Sequence, residues 1–557
     1  MHISSLRRIY AIVLLLAVAS LPASAQGTAT LPSSDLVYRD LDRLSELGIL
    51  DSVIIGQRPY SRREIGRIVR VARERANRMG EREVSHLITD LELSIADGLL
   101  RRLETRFSRE VDDVPSTDAV ISLLDGVSLV VSSTDAERRG FPASHSSPTE
   151  ATTGSLLPRR LGEPLKPGTS TVLELAQRIE PTTWLAFTAR ERIQLYQPRD
   201  TTAALWSGDM LLAVARARVA NVAVSLGREQ LAWAQSTTDG LFFASDAPAV
   251  DQLSISSDRP FTLPGFLRRI GPVQATLVGA NLGRSRARSG SKLLAYKVSV
   301  QPTAGSEIGA TFLNHFGGED GRSSGTLDRL IDFLPFIDIF RRHNYYDSTS
   351  TLDVSSDKVL GLDGRLRIGG LRGVLFTGEL LIDDFDVHRL PKLLTGYGSQ
   401  TIGIILPRFV SPLLSLKLTA AHMGILTYTH AELTNGTTTR GRLLGNELGP
   451  DAKAFGAQIT WEPIPSARVS IDGRRAIYSN AEYGAFYADR DSSRYVVQKL
   501  SRSADETRDR IGATLLVQSE AGPALSLRFV GEEARNYRFL GGERRYFAAE
   551  LALHLQQ

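Results

Sequence analysis

Over most of its length the chain repeats with a period of two. The closing stretch, RYFAAELALHLQQ, puts Phe547, Ala549, Leu551, Leu553 and Leu555 on one side and Ala548, Glu550, Ala552, His554 and Gln556 on the other. That is a β-strand with one apolar and one polar face. The same alternation runs, at least in part, through TSTVLELAQRIE, WLAFTARERIQLY, SKLLAYKVSVQ, LLSLKLTAAH, AFGAQITWEP, IGATLLVQS and ALSLRFVG. Each segment alone is weak evidence, but their punctuation is regular. Tight connections rich in Pro or Gly fall at Pro181, Asn221, Pro272, Pro302, Gly370, Pro407, Pro463 and Pro523, with long polar stretches at 133–170, 314–357, 424–453 and 476–510. Tight turns alternating with long loops mark a membrane β-barrel, with its turns on the periplasmic side. Two strands per turn, a lead-in strand at 118–132 and a closing strand at 546–555 predict an all-β transmembrane barrel of about 18 antiparallel strands. Both ends of the barrel sequence then lie in the periplasm, and the last strand pairs with the first, leaving no open edge in lipid. A soluble sandwich or propeller is disfavoured, because no 40–50-residue repeat is present.

Before residue 115 the period is helical. SSDLVYRDLDRLSELGIL spaces Leu36, Leu41, Leu44 and Leu47 along one face, with Ser34 or Asp35 as the cap and Gly48 as the stop. SRREIGRIVRVARERA sets Ser61 and Glu64 in capping-box relation ahead of an Ile65, Ile68, Val69 and Ala72 stripe. A third stripe runs through Val84, Leu87, Ile88, Leu91 and Leu99. The first residues differ again: Arg7 and Arg8, an apolar run from Ile9 to Leu21, then Ala23-Ser24-Ala25. This order predicts a secretory signal peptide over 1–25, a helical periplasmic-side segment over 26–114 and the barrel over 115–557.

Composition narrows the function classes. Of 557 residues, 42% are hydrophobic and 23% charged, and beyond the leader no apolar run is long enough for a membrane-spanning helix. A net charge of +4 is far from a nucleic-acid binder, and the absence of cysteine excludes disulfides, thiolate metal sites and a cysteine nucleophile. No cofactor motif is present, and His315, His343, His388, His422 and His430 are too scattered for a metal site. Asp383, Asp384 and Asp386 have oxygen ligands suited to calcium, but a solvated loop base is the simpler reading. Asn314-His315 at a strand end lacks an identifiable serine partner, so no catalytic residue is assigned.

The long loops combine aromatic and basic residues. RRHNYYDS holds Arg341, Arg342, Tyr345 and Tyr346; GRSRARSGSK carries Arg284, Arg286 and Arg288; YSNAEYGAFYADRDSSRY adds Tyr483 and Tyr487. Guanidinium groups bind carboxylated or phosphorylated glycans bidentately, and aromatic faces accept sugar rings, so these nine residues are the candidate polysaccharide-binding set. Contact with outer-membrane lipid and lipopolysaccharide explains any one cluster equally well.

Gly227-Arg228 near Trp233, the turn Ser245-Asp246 with Pro248, and the series Tyr428, Gly436, Gly441, Arg442 and Gly445 complete the picture. With the helical DLDRLSELGIL segment, this order resembles the capsule assembly Wzi family of outer-membrane proteins. The resemblance implies an 18-stranded, plugged barrel with a periplasmic-side helical bundle. It also implies a lectin-like, non-enzymatic protein that binds exported capsular or extracellular polysaccharide at the cell surface; a monomer is expected. A porin or transporter of the same architecture is the alternative.

Overall fold

The computed structural model describes residues 28–556 other than 51–52, 82–88, 113–118, 138, 142–150, 154–155, 158–160, 162–165, 202, 236–239, 285–288, 319–355, 383–397, 426, 429–435, 480, 490–491, 503 and 521–522; for Ala481–Asp489 and Ser492–Arg502 it describes the backbone alone. The expected signal peptide lies outside the described residues.

Strands β1 (Val120–Thr134), β2 (Gly168–Thr182), β3 (Leu185–Pro198), β4 (Leu205–Val219), β5 (Val222–Glu229), β6 (Val250–Ser257), β7 (Pro272–Asn281), β8 (Lys292–Thr303) and β9 (Ser306–Phe316) form the first half of one sheet. The second half is β10 (Ser356–Ile368), β11 (Val374–Ile382), β12 (Ser399–Leu406), β13 (Leu414–Met423), β14 (Ala452–Ile464), β15 (Ala467–Tyr478), β16 (Glu506–Gln518), β17 (Ala524–Arg535) and β18 (Glu543–Gln556). Every neighbour is antiparallel, and β18 pairs with β1 from Gly126↔Gln556 to Thr134↔Ala548, so the sheet closes on itself with 18 strands. Phe261–Thr262 continues β6 against β7 after a break at Asp258–Pro260, which is why that segment lacks a clean alternation.

The period-two pattern decides which side chains meet lipid. Phe547, Leu551, Leu553 and Leu555 of β18 are exposed on the outer face, whereas Ala548, Glu550 and Ala552 are buried inside. Exposed aromatic residues fall at both edges of this apolar band, with Trp184, Phe266, Phe409 and Trp461 toward the tight turns and Trp206, Phe455, Phe529 and Phe547 toward the loops. Aromatic belts of this kind sit at the two membrane–water interfaces. No described helix is long and apolar enough to cross a membrane.

Helices α1 (Val37–Leu47), α2 (Arg62–Glu81), α3 (Asp90–Arg106) and α4 (Ser108–Asp112) share a core of Leu41, Leu44, Ile65, Ile68, Val69, Leu99 and Phe107. Gly48 ends α1 in the left-handed region, as expected, but the residue before the helix is Leu36, and Asp35 caps from one position further out by accepting the Val37 N–H at 2.9 Å. Ser61 accepts the Glu64 N–H at 3.2 Å, while the Glu64 carboxylate turns to Arg67. The third apolar stripe needs correction: α3 begins at Asp90 behind a Thr89–Glu92 capping box, Leu91 is exposed, and Ile95, Leu99 and Leu103 face the core. Val84, Leu87 and Ile88 are outside the described residues.

The helices lie across the tight-turn end of the barrel. Arg102 of α3 bonds both oxygens of Asp40 at 2.9 Å and donates to the carbonyls of Pro465 and Gln518 at 3.2 and 3.4 Å. Arg43 of α1 pairs with Glu462 and donates to the Pro407 and Pro412 carbonyls. Gly98 allows the close approach, since a Cβ there would stand 2.4 Å from that of Pro465. Arg102 thus joins the helical layer to two separate strand connections, and Arg43 joins it to the β12–β13 connection and to β14.

Two outcomes are expected. Leu551→Arg places a charge on the lipid face and costs about 2–4 kcal/mol near the bilayer centre; urea unfolding in vesicles checks this, and unchanged stability contradicts the outward assignment. Asp35 provides a pH test. Burial alone raises its carboxyl, but Arg106 at 2.7 and 2.9 Å, with the Val37 N–H, holds it at about 2, below the ordinary 3.8. A folded-state value below the unfolded one stabilises the helical layer by roughly 2 kcal/mol above about pH 4, an effect lost as the pH falls through 2. Asp35→Asn accordingly melts its helices earlier at pH 7 by 222 nm circular dichroism, with the difference from wild type shrinking below about pH 3. Equal melting at pH 7 contradicts the assignment.

Candidate functional site: a plugged lumen under a basic and aromatic rim

Side chains of alternate residues point into the lumen, and among them are the buried carboxylates Glu307 on β9, Asp363 on β10 and Glu379 on β11, on three adjacent strands. Two chain segments meet them. From the helical end, Ile55 and Gly56 donate backbone N–H groups to Glu307 at 2.7 and 2.8 Å, and the Gln57 amide reaches the Gln274 carbonyl and Ser299 hydroxyl at 3.0 Å each. From the loop end, residues 230–235 and 240–249 fold inward. Gln235 and Leu241 both donate N–H groups to Glu379 at 2.9 Å, and the Gln235 amide bonds Glu307 at 2.9 Å and Asp363 at 2.7 Å. Lys297 of β8 pairs with Asp363. The two segments also join each other, with Arg58 and Ala232 exchanging backbone bonds of 2.9 and 3.0 Å. A buried carboxylate without donors costs several kcal/mol, and here the plug provides them.

Residues of the loosely matched motifs build the upper plug. Trp233 meets Phe243 edge-on at 4.9 Å. The Tyr428 hydroxyl donates to the Leu241 carbonyl at 2.5 Å and accepts the Asn446 N–H at 2.9 Å. Gly445 makes this junction possible, because a Cβ there would lie 2.3 Å from the Tyr428 hydroxyl and 2.4 Å from the Leu241 oxygen. The Ser245 carbonyl accepts from Ser33 and Gln230 at 2.8 Å each. The expectation of a polar outer loop over 424–453 is therefore corrected for Tyr428 and residues 436–453. Tyr428, Leu443, Leu444 and Leu448 are buried in one cluster with Trp233, Phe243 and the inner wall. A few apolar residues in a polar-looking loop are enough to draw it inward once an apolar inner wall faces them.

At the loop end, basic and aromatic residues meet over β15–β18. Tyr478, Tyr537 and Tyr546 stand beside Arg139, Arg508, Arg538 and Arg544; the Arg139 guanidinium is 3.9 Å from the Tyr478 ring centroid, and Arg508, Arg538 and Arg544 lie 5.9, 5.2 and 5.7 Å from that of Tyr537. Glu137 holds the group together, accepting the Tyr537 hydroxyl at 2.7 Å and pairing with Arg538 at 2.9 Å. The β17–β18 connection presents this cluster on a rigid tip. Asn536, Arg538 and Phe539 take positive φ, and the Asn536 side chain ties Ala504 to Gly541. Arg538, Leu540, Arg544 and Arg545 are exposed there. Tyr478, Tyr537, Tyr546 and Arg508 are buried, and the exposed cations Arg538 and Arg544 held over the Tyr537 ring suit an oxygen-rich anionic ligand.

Of the residues selected from sequence, Arg284 is exposed beyond the end of β7. Arg286, Arg288, Arg341, Arg342, Tyr345 and Tyr346 are outside the described residues, as are the side chains of Tyr483 and Tyr487. Sequence reasoning missed the Tyr537–Tyr546 cluster, although NYRFLGGERRY carries the same aromatic and basic signal in a shorter connection. His315 and Asn314 are fully buried, His422 is half-buried, and His343, His388, His430, Asp383, Asp384 and Asp386 lie outside the described residues. Among the described residues no group of three or more His, Asp or Glu has a metal-holding arrangement.

Comparison with solved structures finds Escherichia coli Wzi, described as an outer membrane protein involved in group 1 capsule assembly and as a carbohydrate binding β-barrel. It is 13% identical with a TM-score of 0.61, over 96% of this chain and 100% of that one, a likeness of fold. Pseudomonas aeruginosa OpdL is 10% identical with a TM-score of 0.40, over 78% and 98% of the two chains. OprD from the same organism is 8% identical with a TM-score of 0.41, over 79% and 95%. Comparison with curated proteins finds no match. A family model described as capsule assembly protein Wzi matches residues 162–501, more than half of the sequence, and the chain belongs to that family of outer-membrane barrels.

Proposed function

We propose that this protein binds exported capsular or extracellular polysaccharide at the outer surface and anchors it there, without transforming it chemically. The observation that carries the reading is the combination, in a Wzi-family chain, of a lumen filled from both ends with a rim of exposed cations backed by buried aromatic rings. A solute pore needs a continuous aqueous path, whereas a tether needs only a rigid display surface. The carbohydrate binding described for E. coli Wzi supports the same reading. Arg538, Arg544 and Tyr537 form the described part of the binding rim, and Arg284, Arg286, Arg288, Arg341, Arg342, Tyr345, Tyr346, Tyr483 and Tyr487 extend it. The protein acts as a monomer seated in lipid and lipopolysaccharide, after export by its leader.

Deleting the gene leaves polysaccharide synthesis intact and moves the polymer from the cell pellet to the medium; full retention on the deletion strain contradicts the proposal. Restoring the gene with Arg538→Ala and Arg544→Ala recovers the folded barrel, checked by heat-modifiable gel mobility, but only part of the retention. Wild-type protein in planar bilayers shows no steady conductance. Glu307→Ala with Glu379→Ala removes two anchors of the plug and produces open-channel events. Robust steady conductance of the wild type favours a porin instead.

A further inference from the structure

On the outer wall, the tops of β18, β1, β2 and β3 enclose a groove of about 620 Å³, lined by Ser133, Asp135, Thr169, Gln197, Arg199 and Phe547 among others. Its height is set by the strand pattern. Directly below on the same outer face lie Leu129 and Val131 of β1 and Leu551 of β18, all exposed to lipid, while Arg545 stands one outward position above Phe547. The groove therefore sits where the apolar band gives way to water.

Its chemistry differs from that of the neighbouring wall. The Ser133 and Thr169 hydroxyls are cross-strand neighbours, 3.4 Å apart and exposed. Gln197 is held by its own loop, its amide donating to the Thr201 carbonyl. Asp135 is fixed at the junction of the first and last strands, where its carboxylate accepts the Phe547 N–H at 2.6 Å. Thr134 beside it donates to the Phe547 carbonyl at 3.1 Å. Arg199 is exposed and makes no ion pair among the described residues. Phe547 adds an exposed ring, packed against Phe529 at 6.4 Å in near-parallel orientation.

An aromatic face beside alternating donors and acceptors matches a pyranose ring, which has one C–H face and a belt of hydroxyls. One carboxylate opposite one guanidinium leaves the groove without net charge. That disfavours the phosphate-rich headgroup of a glycolipid and favours a polyhydroxylated chain. We propose that the groove is a binding site for a short segment of the exported polysaccharide, roughly two or three sugar residues judged by its volume. The assignment rests on the polysaccharide-binding reading above and deepens it: the polymer is gripped beside the membrane surface as well as at the rim.

The test uses full-length protein in detergent and, as probe, oligosaccharides from partial hydrolysis of the polysaccharide recovered from the producing cells, titrated by calorimetry. Thr169→Trp fills the groove, and Arg199→Ala removes its cation from an exposed connection with little risk to folding. Binding by the wild type, weakened about tenfold by either variant (about 1.4 kcal/mol) with heat-modifiable mobility unchanged, supports the site. Equal binding by the wild type and both variants overturns the groove and leaves the polysaccharide reading standing. No binding by the wild type overturns both. Competition by lipid-free lipopolysaccharide core sugars stronger than by the oligosaccharides assigns the groove to the membrane glycolipid and overturns the proposal.

Discussion

Carboxylates inside a lipid-embedded cylinder cannot go without hydrogen-bond donors, and the structure is organised around that requirement. Glu307, Asp363 and Glu379 sit on adjacent strands of the inner wall, and the donors reaching them come from Ile55, Gly56, Gln235, Leu241 and Lys297. Two segments about 180 residues apart in sequence are thereby brought to one point. Charge-assisted bonds to backbone N–H groups are among the stronger hydrogen bonds and gain strength where water is scarce. Plug and wall depend on each other: the wall carboxylates need the plug's donors, and the plug's turns need the wall's acceptors.

The outer surface obeys a second constraint. Every strand edge is paired, because β18 finds β1 as its partner, and exposed apolar side chains cover much of the outer face between the aromatic belts. The helical layer then closes the turn end through arginines that reach turn carbonyls, Arg43 to Pro407 and Pro412 and Arg102 to Pro465 and Gln518. Filled at its core and covered at one end, the barrel presents its chemistry at the other. Arg538 and Arg544 stand exposed over Tyr537 at a tip held by Asn536, a preformed surface for the polymer contact proposed above. Preorganisation of this kind reduces the ordering cost of binding.

How much of this was legible before the coordinates depends on the range of the interactions involved. Strand number, the eight turns and the lipid-facing residues of β18 follow from a two-residue period and from Pro and Gly at chain reversals, both local properties. The Ile65–Ala72 stripe and the Gly48 stop are equally local. The inward folding of 230–235, 240–249, 427–428 and 436–451 was not legible. It depends on contacts such as Tyr428 to Leu241 and Gln235 to Asp363, which have no periodic signature. Leu91 misled because α3 starts only at Asp90, which rotates that residue away from the core. For the rim, the composition signal was read in the longest loops, while the described cluster lies on a short one, where Asn536, Gly541 and Gly542 allow a tight tip.

The central claim is that a closed, plugged barrel holds polysaccharide at its outward face. The most direct measurement is capture of the producing cell's own full-length polysaccharide by the protein in nanodiscs, followed by biolayer interferometry at physiological ionic strength. The account predicts saturable capture by loaded discs and none by empty ones. Polymer that flows past loaded and empty discs alike contradicts it.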